Sequence, residues 1–143
     1  MQLLIISIIF TILDQLTKLL AKMYFGEPKV LIDGFFSLRF EKNFGIAFSL
    51  PVPSLLVIAF TIIFLIFGAF WVKKELNLQS KLTKLFVALI GAGAVGNLID
   101  RIIDGYVTDF IAIWIWPVFN LADMWIFIGI LGILLFYGKI YKK

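Results

Sequence analysis

The chain has 143 residues, of which 62% are hydrophobic and only 15% are charged, and its formal net charge is +4. An ordinary soluble domain is about half apolar and about a quarter charged, so this composition argues against a water-soluble globule. The chain contains no cysteine and no histidine, which excludes disulfides, thiolate chemistry and the usual zinc site. The small positive charge suits orientation in a membrane better than binding to nucleic acid, and we expect no nucleic-acid partner.

Four segments are long and apolar enough to span a bilayer, whose core of about 30 Å needs roughly 20 apolar residues per helix. In chain order they cover residues 3–25, 53–72, 85–103 and 122–138. A chain of this length typically forms one domain, and we predict a single domain that covers residues 1–143. We therefore predict an all-α integral membrane protein built as a four-transmembrane-helix bundle.

Two longer segments between the helices, 26–52 and 104–121, carry patterns of their own. Within residues 35–41, aromatic residues and leucine alternate with polar residues, and this period of two predicts a strand with one apolar face. The second segment contains Trp114 and Trp116, and tryptophan favours the membrane interface. We predict that both segments form a small β-containing platform at the outer membrane interface.

The basic residues predict the orientation of the bundle, because lysine and arginine are enriched in cytoplasmic loops. Seven basic residues lie between the second and third helices and in the C-terminal tail: Lys73, Lys74, Lys81, Lys84, Lys139, Lys142 and Lys143. The opposite side has four: Lys29, Arg39, Lys42 and Arg101. We therefore expect both termini in the cytoplasm and the platform outside.

Charged residues inside the apolar segments need a partner or a function, since each costs at least about 2.5–3.5 kcal/mol at a helix centre. Asp14 and Lys18 are four residues apart on one helix face, so they can neutralise each other. Asp100 and Arg101 can pair in the same way, or can mark the point where the third helix leaves the membrane. A structural explanation is therefore available for both pairs.

Three further polar residues, Asn97, Arg101 and Asp104, follow one another at helical spacings of four and three. They continue a stripe of small residues, and small residues let helices approach closely, so the stripe is expected to face the bundle. Two interpretations remain open. The stripe either supplies interhelical hydrogen bonds or forms a polar cluster of a functional site near the outer surface.

Asp109 and Asp123 lie in apolar, aromatic surroundings with no adjacent lysine or arginine. Asp123 can be explained as a cap of the fourth helix, but this does not account for Asp109. If the connection between them folds back like a hairpin, the two carboxyl groups can meet and share one proton. One carboxylate could then activate a water while its protonated partner donates to the oxyanion, as an aspartyl protease requires.

Four sequence blocks, in order along almost the whole chain, resemble the lipoprotein signal peptidases, also called signal peptidase II. They are DQLTK at 14–18, NFGIAFSL at 43–50, GNLIDRIIDGYVTDFI at 96–111 and FNLADMWIFIG at 119–129. The resemblance implies an enzyme of the bacterial plasma membrane that removes the signal peptide just before a diacylglyceryl-modified cysteine. Its partners would be the lipid-modified prolipoprotein and membrane lipid, with no metal or other cofactor. We expect a bundle of this kind to work as a monomer.

The resemblance also implies roles for individual residues. Asp109 and Asp123 match the catalytic pair. The supporting or substrate-binding positions are Asp14, Lys18, Asn43, Asn97, Asp100, Arg101 and Asn120. Asn120 would orient the pair or the substrate, Asn43 would hold the substrate, and Arg101 would fix the backbone of the site. Thr108 and Met124 depart from the residues usual in the family, and Met124 could alter a cap hydrogen bond beside Asp123.

Two other classes of membrane protein remain as alternatives. A small transporter would use an intramembrane carboxylate such as Asp14 to carry protons. A purely structural membrane protein is the other alternative, and it gives no reason for the isolated Asp109.

Overall fold

The structure is a computed structural model that describes residues 1–45 and 52–142, and over these residues it contains four α-helices and three β-strands. The helices are α1 (Gln2–Tyr24), α2 (Ser54–Glu75), α3 (Lys81–Ile103) and α4 (Leu121–Ile140), and the strands are β1 (Lys29–Ile32), β2 (Phe36–Asn43) and β3 (Val107–Ile113). All four helices are long and apolar enough to cross a membrane. The predicted helix bundle with a small β-containing platform is confirmed.

Three helices extend further than the sequence predicts. α3 begins at Lys81 instead of residue 85, because the Ser80 side chain caps it by accepting a hydrogen bond from the N–H of Thr83 at 3.5 Å. α2 and α4 continue to Glu75 and Ile140 through turns that contain lysine. Lysine is tolerated there because its charge favours a helix C-terminus and its long side chain can reach water.

α3 is the central helix, and it packs against the other three helices. Its glycines allow close approach on the side of the bundle that carries the polar residues. A Cβ atom at Gly93 would collide with the carbonyl oxygen of Ala122, and one at Gly96 would collide with the carboxylate of Asp14. The small residues Gly93 and Gly96 therefore bring α1 and the start of α4 close to α3, as small residues do in membrane helices.

The strands form one antiparallel sheet with β2 in the middle. β2 is the strand that the alternating pattern predicts, and a tight turn through Gly34, whose φ is 64°, joins it to β1. β3 was not predicted. The sheet lies against the helix ends, since the N–H of Phe40 donates to the carbonyl of Phe25 at 2.7 Å, just after α1.

The chain between β3 and α4 folds back on itself, as the sequence argument required. The N–H of Ile111 donates to the carbonyl of Phe119 at 2.8 Å, and the N–H of Phe119 donates to the carbonyl of Ile111 at 3.0 Å. Two exposed tryptophans, Trp114 and Trp116, lie in this excursion. The return of the chain starts α4 beside β3, so residues far apart in sequence share one end of the bundle.

Candidate active site

Asp109 is the third residue of β3, and only 3% of it is exposed. A carboxylate this deeply buried needs hydrogen-bond partners, because an unpaired one would lose its hydration without compensation. Two amide side chains supply them. Asn43, at the end of β2, donates to Oδ2 at 2.9 Å, and Asn120 donates to Oδ1 at 2.7 Å. Both oxygens of Asp109 are thus held in place.

Asp123 lies in the first turn of α4, where it forms a reciprocal capping box with Asn120. The Asn120 side-chain oxygen accepts from the Asp123 N–H at 3.0 Å, and the Asp123 carboxylate accepts from the Asn120 N–H at 3.2 Å. The main-chain N–H of Met124 also reaches the Asn120 carbonyl at 3.3 Å. Met124 therefore leaves this cap intact.

The side chains of Asn97 and Asn120 join the two aspartates into one network. Asn97, on α3, donates to Oδ1 of Asp123 at 2.8 Å, and its own oxygen accepts from Asn120 at 3.2 Å. Asn120 is fully buried and donates from the same amide nitrogen to Asp109. A single amide side chain therefore contacts both Asp109 and the segment that carries Asp123.

The environment of Asp109 favours its protonated form. Burial raises the pKa of Asp109 from its ordinary value of 3.8 to about 7, and the negative charge of Asp123 adds to this increase. The hydrogen bonds from Asn43 and Asn120 act in the opposite direction, because they stabilise the carboxylate. The two carboxyl groups thus interact through their charges, and a pair that holds one proton near neutral pH is favoured.

Asp14, Lys18 and Asp100 form a cluster of buried charges beneath the two aspartates. Their exposed fractions are 0%, 2% and 3%. The Lys18 ammonium lies 2.8 Å from Oδ2 of Asp14, which is the predicted pair, and 3.1 Å from Oδ2 of Asp100. Asp100, which the sequence suggested could pair with Arg101, pairs with Lys18 instead. Lys18 also donates to the side-chain oxygen of Asn97 at 2.9 Å, which connects this cluster to the aspartate network.

Arg101 holds the main chain at the end of β2. Its guanidinium donates to the carbonyl of Gly45 at 3.1 Å and to the carbonyl of Asn97 at 3.3 Å. The side-chain oxygen of Asn43 accepts from the N–H of Gly45 at 3.0 Å, so the same turn also orients Asn43. The motif that begins at Asn43 continues through residues 46–50, which lie outside the described residues.

Asp104 lies apart from the aspartate network, although helical spacing predicts that it shares one stripe with Asn97 and Arg101. It follows the last residue of α3 and forms an ion pair with Lys22, and about a third of each side chain is exposed. Asp104 lies one helical turn beyond Asp100, so it meets Lys22, which lies one turn beyond Lys18. This outer pair belongs to the surface and not to the site.

Gln15 is a site residue that the sequence argument missed. Its side-chain nitrogen donates to Oδ1 of Asp100 at 2.9 Å and to the carbonyl of Gly96 at 3.2 Å. A polar residue between Asp14 and Lys18, inside an apolar helix, was the available signal. Gln15 helps to satisfy a carboxylate that is nearly inaccessible to solvent.

A comparison with known families matches residues 6–138 to a family described as Signal peptidase (SPase) II. A lipoprotein signal peptidase of Caldicellulosiruptor bescii is 44% identical over 84% of this chain and 79% of its own length. One from Chlorobaculum tepidum is 36% identical over 97% of this chain and 95% of its own length. The chain is thus similar to these enzymes over most of its length.

Two solved structures of bacterial membrane enzymes have the same fold. One superposes with a TM-score of 0.82 at 30% identity, covering 96% of this chain and 87% of the other. The second has a TM-score of 0.81 at 29% identity, covering 93% of this chain and 90% of the other. The arrangement of four helices and a small sheet is therefore shared with membrane enzymes.

Proposed function

The chain belongs to the signal peptidase II family, and on this premise we propose that it is an aspartyl endopeptidase of diacylglyceryl-modified prolipoproteins. It cleaves the signal peptide directly before the lipid-modified cysteine. Family membership supports signal-peptide removal as the reaction. The observation that carries the aspartyl mechanism is the network that joins Asp109 and Asp123, hereafter the dyad, through one buried amide.

In the proposed reaction, ionised Asp123 takes a proton from a water, and the water oxygen forms a bond to the scissile carbonyl carbon. Protonated Asp109 donates its proton to the developing oxyanion, a division of roles that its pKa of about 7 supports. The carbon–nitrogen bond then breaks, the proton held by Asp123 passes to the departing amine, and one hydroxyl of the collapsing tetrahedral carbon returns a proton to Asp109. No nucleophile other than water is needed, which agrees with a chain that lacks cysteine and histidine.

The amides of Asn97 and Asn120 keep the dyad oriented while its protons move. They contact the carboxylates at 2.7 and 2.8 Å, distances of well-formed hydrogen bonds. The pKa of about 7 makes Asp109 the member of the pair that carries the proton near neutral pH, and the N–H groups of Asn97 and Asn120 hold the Asp123 carboxylate as a hydrogen-bond acceptor. Asp123 is therefore the base of the pair and Asp109 is the acid.

The proposed location is the bacterial plasma membrane, with both termini in the cytoplasm and the sheet at the outer face. The lysines at the C-terminal ends of α2 and α4 and at the start of α3 support this orientation. The dyad then lies at the outer ends of α3 and α4, where a substrate helix in the membrane can present its cleavage site. We propose that a single copy of the chain does this work.

The pH dependence of cleavage follows from the pKa of Asp109. Because the acid must carry its proton, kcat/KM is expected to fall as the pH rises through about 7. Asn43→Ala removes a hydrogen bond that lowers this pKa. The fall in kcat/KM on the alkaline side of the pH–rate profile, its alkaline limb, is therefore expected to move to higher pH. Rate profiles between pH 5 and pH 9 measure the shift, with Ser37→Ala on the same strand as a control. An unmoved limb in Asn43→Ala would argue against Asp109 as the acid.

The proposed function is tested with purified protein and two forms of one prolipoprotein, with and without the diacylglyceryl group. Mass spectrometry of the products is expected to show cleavage of the lipidated form directly before its cysteine, and little or no cleavage of the unmodified form. Cleavage at another bond, or equal cleavage of both forms, would contradict the proposed specificity. Cation transport by reconstituted vesicles, without any cleavage, would support the transporter alternative.

A further inference from the structure

Two main-chain N–H groups beside the dyad donate to buried carboxylates of other elements. The N–H of Thr108 donates to Oδ2 of Asp100 at 2.9 Å, and the N–H of Ala122 donates to Oδ1 of Asp14 at 2.8 Å. Each donor belongs to the residue that immediately precedes one of the dyad aspartates. Hydrogen bonds to ionised acceptors are about twice as strong as neutral ones, so these contacts fix the main chain firmly at both points.

Lys18 connects the two acceptors. Its ammonium lies within 3.1 Å of both carboxylates and donates to Asn97 at 2.9 Å, so three partners match the three donors of an ammonium group. We call Asp14, Lys18 and Asp100 the brace. Without the lysine, two carboxylates would face each other at a site that water barely reaches, and they would repel each other.

We propose, resting on the function proposed above, that the brace sets the relative position of the two dyad carboxylates. Lys18 holds Asp14 and Asp100 at a fixed separation, and each of these carboxylates holds the main chain just before one dyad residue. The members of the brace are positioning residues, since they act through the main chain and not on the substrate. A displacement of about 1 Å can lower a catalytic rate roughly 100-fold, so this spacing matters for turnover.

The brace also acts on Asp109 through its charge. The positive charge of Lys18 lowers the pKa of Asp109, in opposition to burial and to Asp123. The other charged groups around Asp109 are Arg101 on α3 and Glu41, its register partner on β2, which is half-exposed and paired with Arg39 at 2.7 Å. Loss of Lys18 would therefore move the alkaline limb of the rate profile to higher pH, an effect that partial unfolding alone would not produce.

The chain contains a matched control for this test. Lys22 and Asp104 form an ion pair on α1 and on the residue after α3, one turn beyond Lys18 and Asp100. The outer pair has the same charges on neighbouring turns but lies at the surface, outside the brace. Lys22→Met/Asp104→Asn thus removes an equivalent pair without touching the main chain beside the dyad.

The experiment compares wild type, Lys18→Met, the control variant and a neutral brace, Lys18→Met/Asp14→Asn/Asp100→Asn. The neutral brace keeps an oxygen acceptor for each N–H and avoids the two facing charges. Cleavage of the lipidated prolipoprotein gives kcat, KM and the pH profile. Hydrogen exchange at the N–H groups of Thr108 and Ala122, followed by NMR, reports on the brace independently of cleavage, so failure of the brace can be told from failure of the proposed function.

Lys18→Met is expected to lower kcat by roughly 100-fold, with KM changed less than about threefold, to shift the alkaline limb upward and to speed exchange at both N–H groups. The neutral brace is expected to recover at least about tenfold in kcat over Lys18→Met, and the control to match wild type. If Lys18→Met does not fold, slow exchange at both N–H groups and a kcat within about tenfold of wild type in the neutral brace carry the same test. The proposal is overturned if exchange at both N–H groups is unchanged, or if the control loses as much activity as Lys18→Met.

Discussion

Replacing either Asp109 or Asp123 with asparagine is expected to lower the rate of signal-peptide cleavage about 10⁴-fold, the upper range for loss of general acid–base catalysis. An amide can neither take a proton from water nor give one to an oxyanion. It has nearly the same shape as a carboxylate, so the side chain still fits beside Asn97 and Asn120. The loss is expected in kcat, because the surface that binds the substrate is unchanged.

The control for the Asp109→Asn and Asp123→Asn variants is a carboxylate that lies on the same side of the bundle as the dyad and takes no part in the reaction. Asp33 lies exposed in the turn between β1 and β2, and Asp33→Asn is expected to cleave at the wild-type rate. Thermal unfolding, measured in the detergent used for the cleavage assay, verifies that each variant is folded. Full turnover by folded Asp109→Asn or Asp123→Asn would show that the dyad assignment is wrong.

Asn120→Ala is expected to produce the second largest effect, a loss of roughly 10²–10³-fold in kcat, as when a single oriented donor is removed from an active site. The substitution removes the hydrogen bond to Asp109, the contact with Asn97 and the cap of α4. Loss of the cap alone costs about 1 kcal/mol of stability. The catalytic loss is expected to exceed what that small destabilisation can explain.

Ser80→Ala separates these two effects. Ser80 caps α3 at the opposite end of the bundle, where its side chain accepts from the N–H of Thr83. This variant is expected to lose a similar amount of stability and to keep full activity. If Asn120→Ala and Ser80→Ala lose the same activity in a cleavage assay, then Asn120 is only a helix cap and does not orient the dyad.

The four helices were predictable because the membrane imposes a simple requirement of length and apolarity. The strand β2 was predictable for a similar reason, since its alternating residues divide between two environments. Helix ends were less accurate. The capping role of Ser80 adds a turn to α3 that hydropathy does not detect, because that turn contains Lys81 and Lys84.

The strand β3 could not be predicted with the same argument. Four of its residues in succession, Val107 to Phe110, are buried, so its two faces do not differ in polarity as those of β2 do. Its pairing depends on β2, which lies more than sixty residues earlier, as in the partners Asn43 and Val107. Because the pairing partner is so distant, the sequence around β3 contains little that indicates a strand. The pairing nevertheless brings Asp109 to the site.

The candidate site was predictable in part from the cost of charge in a membrane. That cost singled out Asp109 and Asp123, and it also suggested that Asp14 and Lys18 pair. The partner of Asp100 and the surface position of Asp104 depend on how α1 rotates against α3, which helical spacing alone does not determine. The partner of Asp100 and the position of Asp104 are therefore determined by the three-dimensional packing of the two helices.

The transporter alternative depended on Asp14 as a carrier of protons. In the structure this carboxylate is fully buried, lies 2.8 Å from the Lys18 ammonium and accepts from the N–H of Ala122. A proton carrier has to exchange protons with water on each side of the membrane. These contacts suit a fixed structural charge, which agrees with membership of a peptidase family.

The central claim is that a water activated by the dyad attacks the peptide carbonyl directly. The most direct test is cleavage of the lipidated prolipoprotein in H₂¹⁸O with hydroxylamine present, followed by mass spectrometry of the released signal peptide and of the enzyme. The account predicts one ¹⁸O atom in the new carboxyl terminus, no hydroxamate and an enzyme of unchanged mass during the first turnover. A signal-peptide hydroxamate, or an enzyme that carries the signal peptide covalently, would contradict it.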